Sequence, residues 1–346
     1  MSKLLTVPGK AFQAIRKGGG GAFMRRLGEF LEREAHGLSM SCQSIQYQRV
    51  RQLEWPADRP LVSVIIPCYN YGRFLREAIE SALAQTFQRF EILVVNDGST
   101  DELTRQVLQQ LSYPRTRVIH QQNQGLAQTR NNGAAVAAGK YICYLDADDA
   151  IEPTYLEKTL GLLESDESLG SCFSWVRCFG DHDSIWETAD LDPFFLRKYD
   201  TAPAHSVIRK AAWEEVKRQN GRGFLTEYNG YCEDWIFWID MVQCGYRGQV
   251  IKEPLIRYRV HKGSLLATHK AGYAKMLGVL HDDRRRFFHD RRYARDLQRK
   301  LNRRIYVENN LINLSAPEFY NNNHMLEGAA AGGTHNLQAA ETYGSQ

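Results

Sequence analysis

Residues 141–149 read Tyr141-Ile142-Cys143-Tyr144-Leu145-Asp146-Ala147-Asp148-Asp149, and this stretch decides the reading of the chain. Five mostly apolar residues predict a buried strand, and three carboxylates follow within four positions of its end. Unpaired carboxylates are costly to bury, so such a cluster belongs where a strand leaves the core for a cleft. Hard divalent cations take oxygen ligands, and magnesium sites commonly combine one or two carboxylates with substrate phosphates. A metal–phosphate site at the carboxyl edge of a strand is one reading. An Asp-rich turn that merely closes the strand is the other.

Upstream, strand and helix patterns alternate. Leu61-Val62-Ser63-Val64-Ile65-Ile66 is a β-branched run ended by Pro67, as in a buried parallel strand. Phe74, Leu75, Ala78, Ile79, Ala82 and Leu83 recur at helical spacing. Phe90–Val95 predicts the next strand, leading into Asn96-Asp97-Gly98-Ser99. A helix over Thr104–Leu111, a strand at Arg117–Ile119 and an Ala-rich helix over Gly125–Ala138 follow, with Gly139 in the position of a helix C-cap. This alternation predicts a Rossmann-like α/β fold whose mainly parallel central sheet is flanked by helices. Ligands of such sheets bind beyond the carboxyl ends of the strands. Polar groups stand at three of those ends, at Tyr69 and Asn70, at Asp97, and at Asp146–Asp149.

Downstream of Pro153 the alternation fades. Thr154–Leu163 reads as a helix, Cys172–Val176 as a strand, residues 180–204 as an aromatic loop, Ser206–Arg209 as a short strand and Ala211–Arg218 as a helix. Glu233 and Asp234 open an amphipathic helix ended by Gly245, where capping and the helix dipole already account for acidic residues. Leu255–Val260 predicts a strand that delivers His261. Residues 1–57 form a basic, amphipathic extension interrupted by Gly18–Gly21, with Lys3, Lys10, Arg16, Lys17, Arg25 and Arg26 preceding any acidic residue. Residues 265–327 read as a basic helical region and 328–346 as a disordered tail.

A net charge of +4 on 346 residues is too small to imply a nucleic-acid partner. The basic ends are open to three roles: solvated faces, peripheral membrane contact, or oligomerisation. The seven cysteines form no CxxC pair, which points to reduced thiols rather than a zinc site or a disulfide framework. No run of 18 apolar residues and no secretory signal pattern is present, so the expected location is the cytoplasm, with the inner face of the plasma membrane as the place of any peripheral contact.

Five segments in order, VSVIIPCYNYGRFLREAIESALAQTF, FEILVVNDGSTD, NQGLAQTRNNGAAVAAGKYICYLDADD, EDWIFWIDMVQCGY and YRVH, resemble the inverting glycosyltransferases of family 2 over residues 61–262. The resemblance implies the GT-A fold over residues 58–264, with 58–152 as the nucleotide-binding half and 153–264 as the acceptor-binding half. It also implies a set of roles. Pro67, Tyr69 and Asn70 line the nucleotide pocket, Asp97 accepts the imide N–H of uracil or thymine, and Arg130 either touches the nucleotide or braces its helix. Asp146, Ala147 and Asp148 stand as the DXD motif, with Asp146 on the ribose and Asp148 on Mn²⁺ or Mg²⁺. Asp149 either orients the donor sugar or holds the loop, and His261 contacts metal or phosphate. Glu233 and Asp234 are the catalytic pair, with Asp234 as the base. The implied reaction passes a hexose from a nucleotide sugar to a glycan or lipid-linked saccharide, as in surface polysaccharide or lipopolysaccharide assembly. No QxxRW motif follows the Glu-Asp helix, which sets the chain apart from processive membrane-spanning synthases. Two alternatives remain, a sugar nucleotidyltransferase and a non-catalytic sugar-nucleotide-binding scaffold. The first lacks its Gly-rich cationic loop after strand one, and the second is opposed by the intact acidic motifs.

Overall fold

A computed structural model describes residues 58–197, 201–228, 232–264, 278, 280–281 and 284–302. The expectations for 1–57 and for the 328–346 tail lie outside these residues, as do most of those for 265–283 and all for 303–327. The first half builds β1 (Val62–Cys68), α1 (Gly72–Leu83), β2 (Phe90–Asp97), α2 (Glu102–Gln110), β3 (Thr116–Gln121), α3 (Leu126–Val136) and β4 (Tyr141–Tyr144). β1 lies parallel to both β2 and β4, with Val64 opposite Ile92 on one side and Cys143 on the other. All seven β1 residues are buried because successive side chains enter different cores. Val64 and Ile66 pack with Leu75 and Ile79 of α1, whereas Ile65 packs with Ala127 and Ala134 of α3.

The second half adds β5 (Ala150–Ile151), α4 (Tyr155–Ser165), β6 (Leu169–Gly180), β7 (Ser184–Trp186), α5 (Pro193–Leu196), β8 (Val207–Arg209), α6 (Lys210–Asn220), α7 (Glu233–Gln243), β9 (Arg247–Val260), α8 (Arg285–His289) and α9 (Arg291–Asn302). The sheet order is β3-β2-β1-β4-β8-β6-β9-β5, with β7 on β6. Parallel order holds from β3 to β4. Beyond it the sheet is mixed, since β8 is antiparallel to both β4 and β6. β8 is reached by a long irregular segment rather than a crossover helix, and only a crossover returns a strand in the parallel sense. Phe287, Phe288, Ala294, Leu297 and Leu301 of α8 and α9 are buried, and Arg284 forks onto Asp240 of α7 at 3.1 Å through two nitrogens.

Two glycines differ in role. Gly245 has φ +89° just past α7, the left-handed stop expected there. Gly139 is not the C-cap of α3. That helix ends at Val136 with Ala137 extended, and a Cβ on Gly139 would lie 2.6 Å from the Ser63 nitrogen. Gly139 is small because the chain crosses β1 there.

Candidate active site

The strand order reverses between β1 and β4, and their ladder stops at Ile65 opposite Tyr144. β1 continues three residues further against β2, through Pro67 opposite Val95 to Cys68 opposite Asn96. Proline has no N–H to offer a second neighbour, and at this point β4 has already left. The diverging ends open a crevice at the switch point, where ligands of such sheets bind.

Asn70 sits at φ +60°, a conformation asparagine tolerates, and it ties the β1 end to the loop after β2. Its side-chain oxygen accepts from the Thr100 and Asp101 amides at 2.7 and 3.1 Å, and its own amide N–H reaches Ser99 Oγ at 3.1 Å. Tyr69 beside it is exposed, while Pro67 is enclosed in β1. Asp97 is buried. Its Oδ1 accepts from Gln121 Nε2 at 2.7 Å and the Gln124 amide at 2.8 Å, and its Oδ2 from the Gly125 amide at 2.9 Å. Asp97 thereby closes the third strand end onto the start of α3.

The three carboxylates after β4 face three ways. Asp146 accepts from Arg130 Nη2 at 2.9 and 3.2 Å. Burial works against its charge, but Arg130 and His205 outweigh burial and hold it below the ordinary carboxylate value. Asp149 is 1% exposed and turns inward, accepting from the Arg259 amide at 2.7 Å and meeting His205 Nε2 at 2.5 Å. Asp148 turns to the cleft, where Oδ2 lies 3.1 Å from His261 Nε2. Burial, then the charges of Asp149 and Asp146, push Asp148 up to about 8. Ala147 between them is buried in the core. Asp146, Asp149 and His205 offer ligand atoms within 4.8 Å of one another. Arg130 takes Asp146 and the Arg259 amide takes Asp149 Oδ1, while Asp149 Oδ2 and His205 Nε2 meet only as an ion-pair contact. The pair with a free side toward the cleft is Asp148 and His261, one carboxylate oxygen and one imidazole nitrogen at a separation that suits two ligands of one cation.

Arg130 is 1% exposed, and its two terminal nitrogens bridge Asp146 and Glu233, each at 2.9 Å. Desolvation opposes its charge, yet Asp146, Glu233 and Asp234 raise its pKa. Glu233 is buried and pushed up to about 7 by desolvation and by the Asp234 charge, against the pull of Arg130. Asp234 is partly exposed, its Oδ1 accepts from the Trp235 amide at 2.9 Å, and its pKa is raised by desolvation against Arg130. Of the acidic pair, Glu233 faces the core and Asp234 faces the cleft. Arg130 joins the carboxylate loop to the head of α7.

Two participants escaped the sequence reading. Arg259 donates its amide to Asp149, its Nε to the Asp148 carbonyl at 2.8 Å and its Nη2 to Glu77, and its guanidinium lies 4.7 Å from the Phe74 ring centre. The period of two in Arg257, Arg259 and His261 was the available signal, since it puts the two arginines on one face of β9 and His261 just past its end. His205 is 3% exposed and stands two residues before β8. Nothing in its neighbourhood in sequence marks it, because its partners lie some 56 residues upstream.

A family model described as glycosyl transferase family 2 matches residues 63–213. The uncharacterized glycosyltransferase YibD of Escherichia coli K12 is 30% identical over 228 residues, covering 61% of this chain and 64% of YibD, so the chain spans less than two thirds of that relative. The putative glycosyltransferase EpsH of Bacillus subtilis is 26% identical over 279 residues, 75% of this chain and 78% of EpsH. Among solved structures, S. aureus TarS 1–349 in complex with UDP-GlcNAc aligns with a TM-score of 0.53 at 16% identity, over 70% of this chain and 72% of that one. The mannosyltransferase PcManGT of Pyrobaculum calidifontis, in complex with GDP-Man and Mn²⁺, aligns with a TM-score of 0.54 at 18% identity, over 92% and 83%. At those identities the two structures speak for the fold. Over residues 63–213 the chain is similar to glycosyl transferase family 2, and the sheet those residues help to build has the GT-A fold of these two structures.

Proposed function

We propose that the protein is an inverting, metal-dependent glycosyltransferase that moves a sugar from a nucleotide-diphosphate sugar, a uridine donor foremost, to a hydroxyl of a glycan or lipid-linked saccharide in surface polysaccharide or lipopolysaccharide assembly. The observation that carries this reading is the arrangement across one crevice. Asp148 and His261 pair at 3.1 Å on one wall, Asp234 heads α7 on the other, and Arg130 clamps the two walls through Asp146 and Glu233. The donor complexes of TarS and PcManGT support a nucleotide sugar in the crevice of this fold.

In this reading Asp97, Tyr69, Asn70 and Pro67 form the nucleotide end, with Asp146 and Ala147 along the path to the diphosphate. Asp148 and His261 would hold the cation, which would supply Lewis-acid stabilisation of charge on the departing diphosphate. Asp234 removes the proton of the acceptor hydroxyl as that oxygen bonds to the anomeric carbon and the bond from that carbon to the diphosphate oxygen breaks. The new bond forms on the face opposite the leaving group, so an α-linked donor yields a β-linked product. Arg130 and Asp149 brace the site rather than touch the donor, because their polar atoms are largely engaged inside the protein.

The exposed arginines Arg285, Arg286, Arg291, Arg292 and Arg295, with His289, line a groove of about 880 Å³ that contains one acid, Asp290. We read this face as the contact with an anionic membrane surface that presents a lipid-linked acceptor.

A panel of uridine, thymidine and guanosine diphosphate sugars with Mn²⁺, with and without acceptor, tests the reaction. Acceptor-dependent release of nucleoside diphosphate and an inverted anomeric configuration by NMR are expected. Pyrophosphate release would point to a sugar nucleotidyltransferase, and binding without turnover to a scaffold. Asp234→Asn should lower transfer by about 10²–10⁴-fold and leave nucleotide binding intact. Transfer at the parental rate by that variant would overturn its role as the base.

A further inference from the structure

The segment that carries His205 connects the two walls of the cleft by a second route, independent of Arg130. Ala202 accepts from Trp238 Nε1 of α7 at 3.0 Å. Three residues on, the His205 carbonyl accepts from the Tyr155 hydroxyl of α4, and the Ser206 carbonyl accepts from the Tyr144 amide of β4 at 3.4 Å. The His205 ring therefore has a backbone fastened on three sides. Its Nε2 lies 2.5 Å from Asp149 Oδ2 and 3.8 Å from Asp146 Oδ2. The edge of its ring meets Tyr258 of β9 at 6.3 Å between centres, and neither of its buried ring nitrogens has a partner of hydrogen-bond geometry among the described residues, so Asp149 meets it as an ion-pair contact. Asp149 thus has its Oδ1 on the Arg259 amide and its Oδ2 in a close ion-pair contact with His205, and both contacts draw its carboxylate inward.

We infer that His205 is a positioning residue of the carboxylate loop: by holding Asp149 inward it fixes the turn that aims Asp148 at the cleft. Consecutive side chains of a tight turn cannot be reoriented independently, so the inward anchor of Asp149 determines where the Asp148 oxygens point. Partners behind a metal ligand typically matter by about 10–100-fold in metal affinity. The inference rests on the proposed role of Asp148 as metal ligand, and its test separates the two.

UDP is titrated calorimetrically against the full-length chain with and without saturating Mn²⁺. The parent should bind UDP more tightly with the metal. His205→Leu removes the anchor and His205→Gln keeps an N–H donor near the position of Nε2. In His205→Leu the metal-dependent gain should fall by about tenfold or more while metal-free UDP binding is unchanged, and His205→Gln should restore most of the gain. Asp149→Asn combined with His205→Leu should lose no more than the worse single variant, because both act through one contact. Circular dichroism and the melting temperature report whether each variant is folded, and His205→Gln carries the test should His205→Leu fail to fold. A full metal-dependent gain in folded His205→Leu, or in folded variants of both kinds that differ from the parent only in melting temperature, overturns the inference alone. Absence of any Mn²⁺ effect in the parent overturns the metal reading and this inference with it.

Discussion

Replacing Arg130 by methionine removes a charge that two buried carboxylates share, and the cost follows from what each survivor does next. Deleting one partner of a buried pair typically costs about 3–5 kcal/mol, because the other is left charged and unpaired. The Glu233 side chain is 6% exposed and already stands near pH 7, so without Arg130 it takes up a proton at neutral pH and its share is capped. The Asp146 side chain is 25% exposed and keeps His205 at 3.8 Å, so it relaxes partly toward water and partly toward the imidazole. The expected loss is therefore at the low end, about 3 kcal/mol above pH 8.

The loss should also depend on pH with a definite sign. The folded value of Glu233 lies above its ordinary 4.5, so its contribution favours the fold below that value and is lost as pH rises through about 7. Loss of Arg130 raises the folded value further, and the mutant goes on losing stability at pH values where the parent has levelled off. Asp146 has the opposite sign and a lower window, so it does not bear on the range above about pH 6. Its folded value lies below the ordinary 3.8, and the stability it adds is present above 3.8 and drains away as pH falls through the folded value. The gap between parent and mutant should thus widen from about pH 6 to about pH 9. Urea unfolding followed by the fluorescence of buried Trp235 and Trp238 measures it. Equal losses at both pH values, or a loss under about 1 kcal/mol at the higher one, would refute the bridge as an electrostatic clamp. Arg130→Lys should recover only part, since a single ammonium lacks the fork that reaches both carboxylates.

Chelation should stop transfer and added Mn²⁺ restore it, and Asp148→Asn should raise the Mn²⁺ needed for half-maximal rate by more than the about tenfold that an outer partner is worth. Gly139→Ala should cost about 1–3 kcal/mol in urea unfolding, because the new methyl would press on the β1 backbone at 2.6 Å; a change within error would mean that the turn yields freely. Arg291, Arg292 and Arg295 changed together to alanine should weaken binding to phosphatidylglycerol vesicles by about 3 kcal/mol, with no effect on phosphatidylcholine vesicles, and equal retention by both lipids would remove the basic face from consideration.

Legibility from sequence tracked the range of the forces involved. The β-branched runs of β1 and β2 and the spacing of Leu75, Ala78, Ile79 and Ala82 reflect burial on one or two faces, which is local and periodic, and the elements they predict are present with nearly the same bounds. Beyond α4 the longer elements are legible, but β7 and α5 lie inside the segment 180–204 read as a loop, and the sheet order is not legible because the sense of β8 depends on a long irregular connection that carries no periodic signal. Gly139 looked like a helix stop by its place after an Ala-rich run, yet the constraint on it comes from β1, about 76 residues earlier in the chain. The head of α7 was visible as two acids at a helix start. Which of them faces the core was not, since that choice is made by Arg130 from another helix.

The carboxylate loop carries the same point to its limit. Asp146, Asp148 and Asp149 are chemically identical and nearly adjacent, so composition, spacing and propensity assign them equal roles. Their tertiary partners do not. A guanidinium fixed on α3 claims Asp146, an imidazole and a backbone amide claim Asp149, and Asp148 lies next to His261. The two claimed acids also make the third more demanding, because their charges and the surrounding burial raise its pKa and leave it short of positive charge. On the proposed reading, a loop of three acids with cationic partners for two has an unmet need for a cation. The chain meets part of the cost of that need in the 2.5 Å contact of His205 with Asp149 and in the buried fork of Arg130.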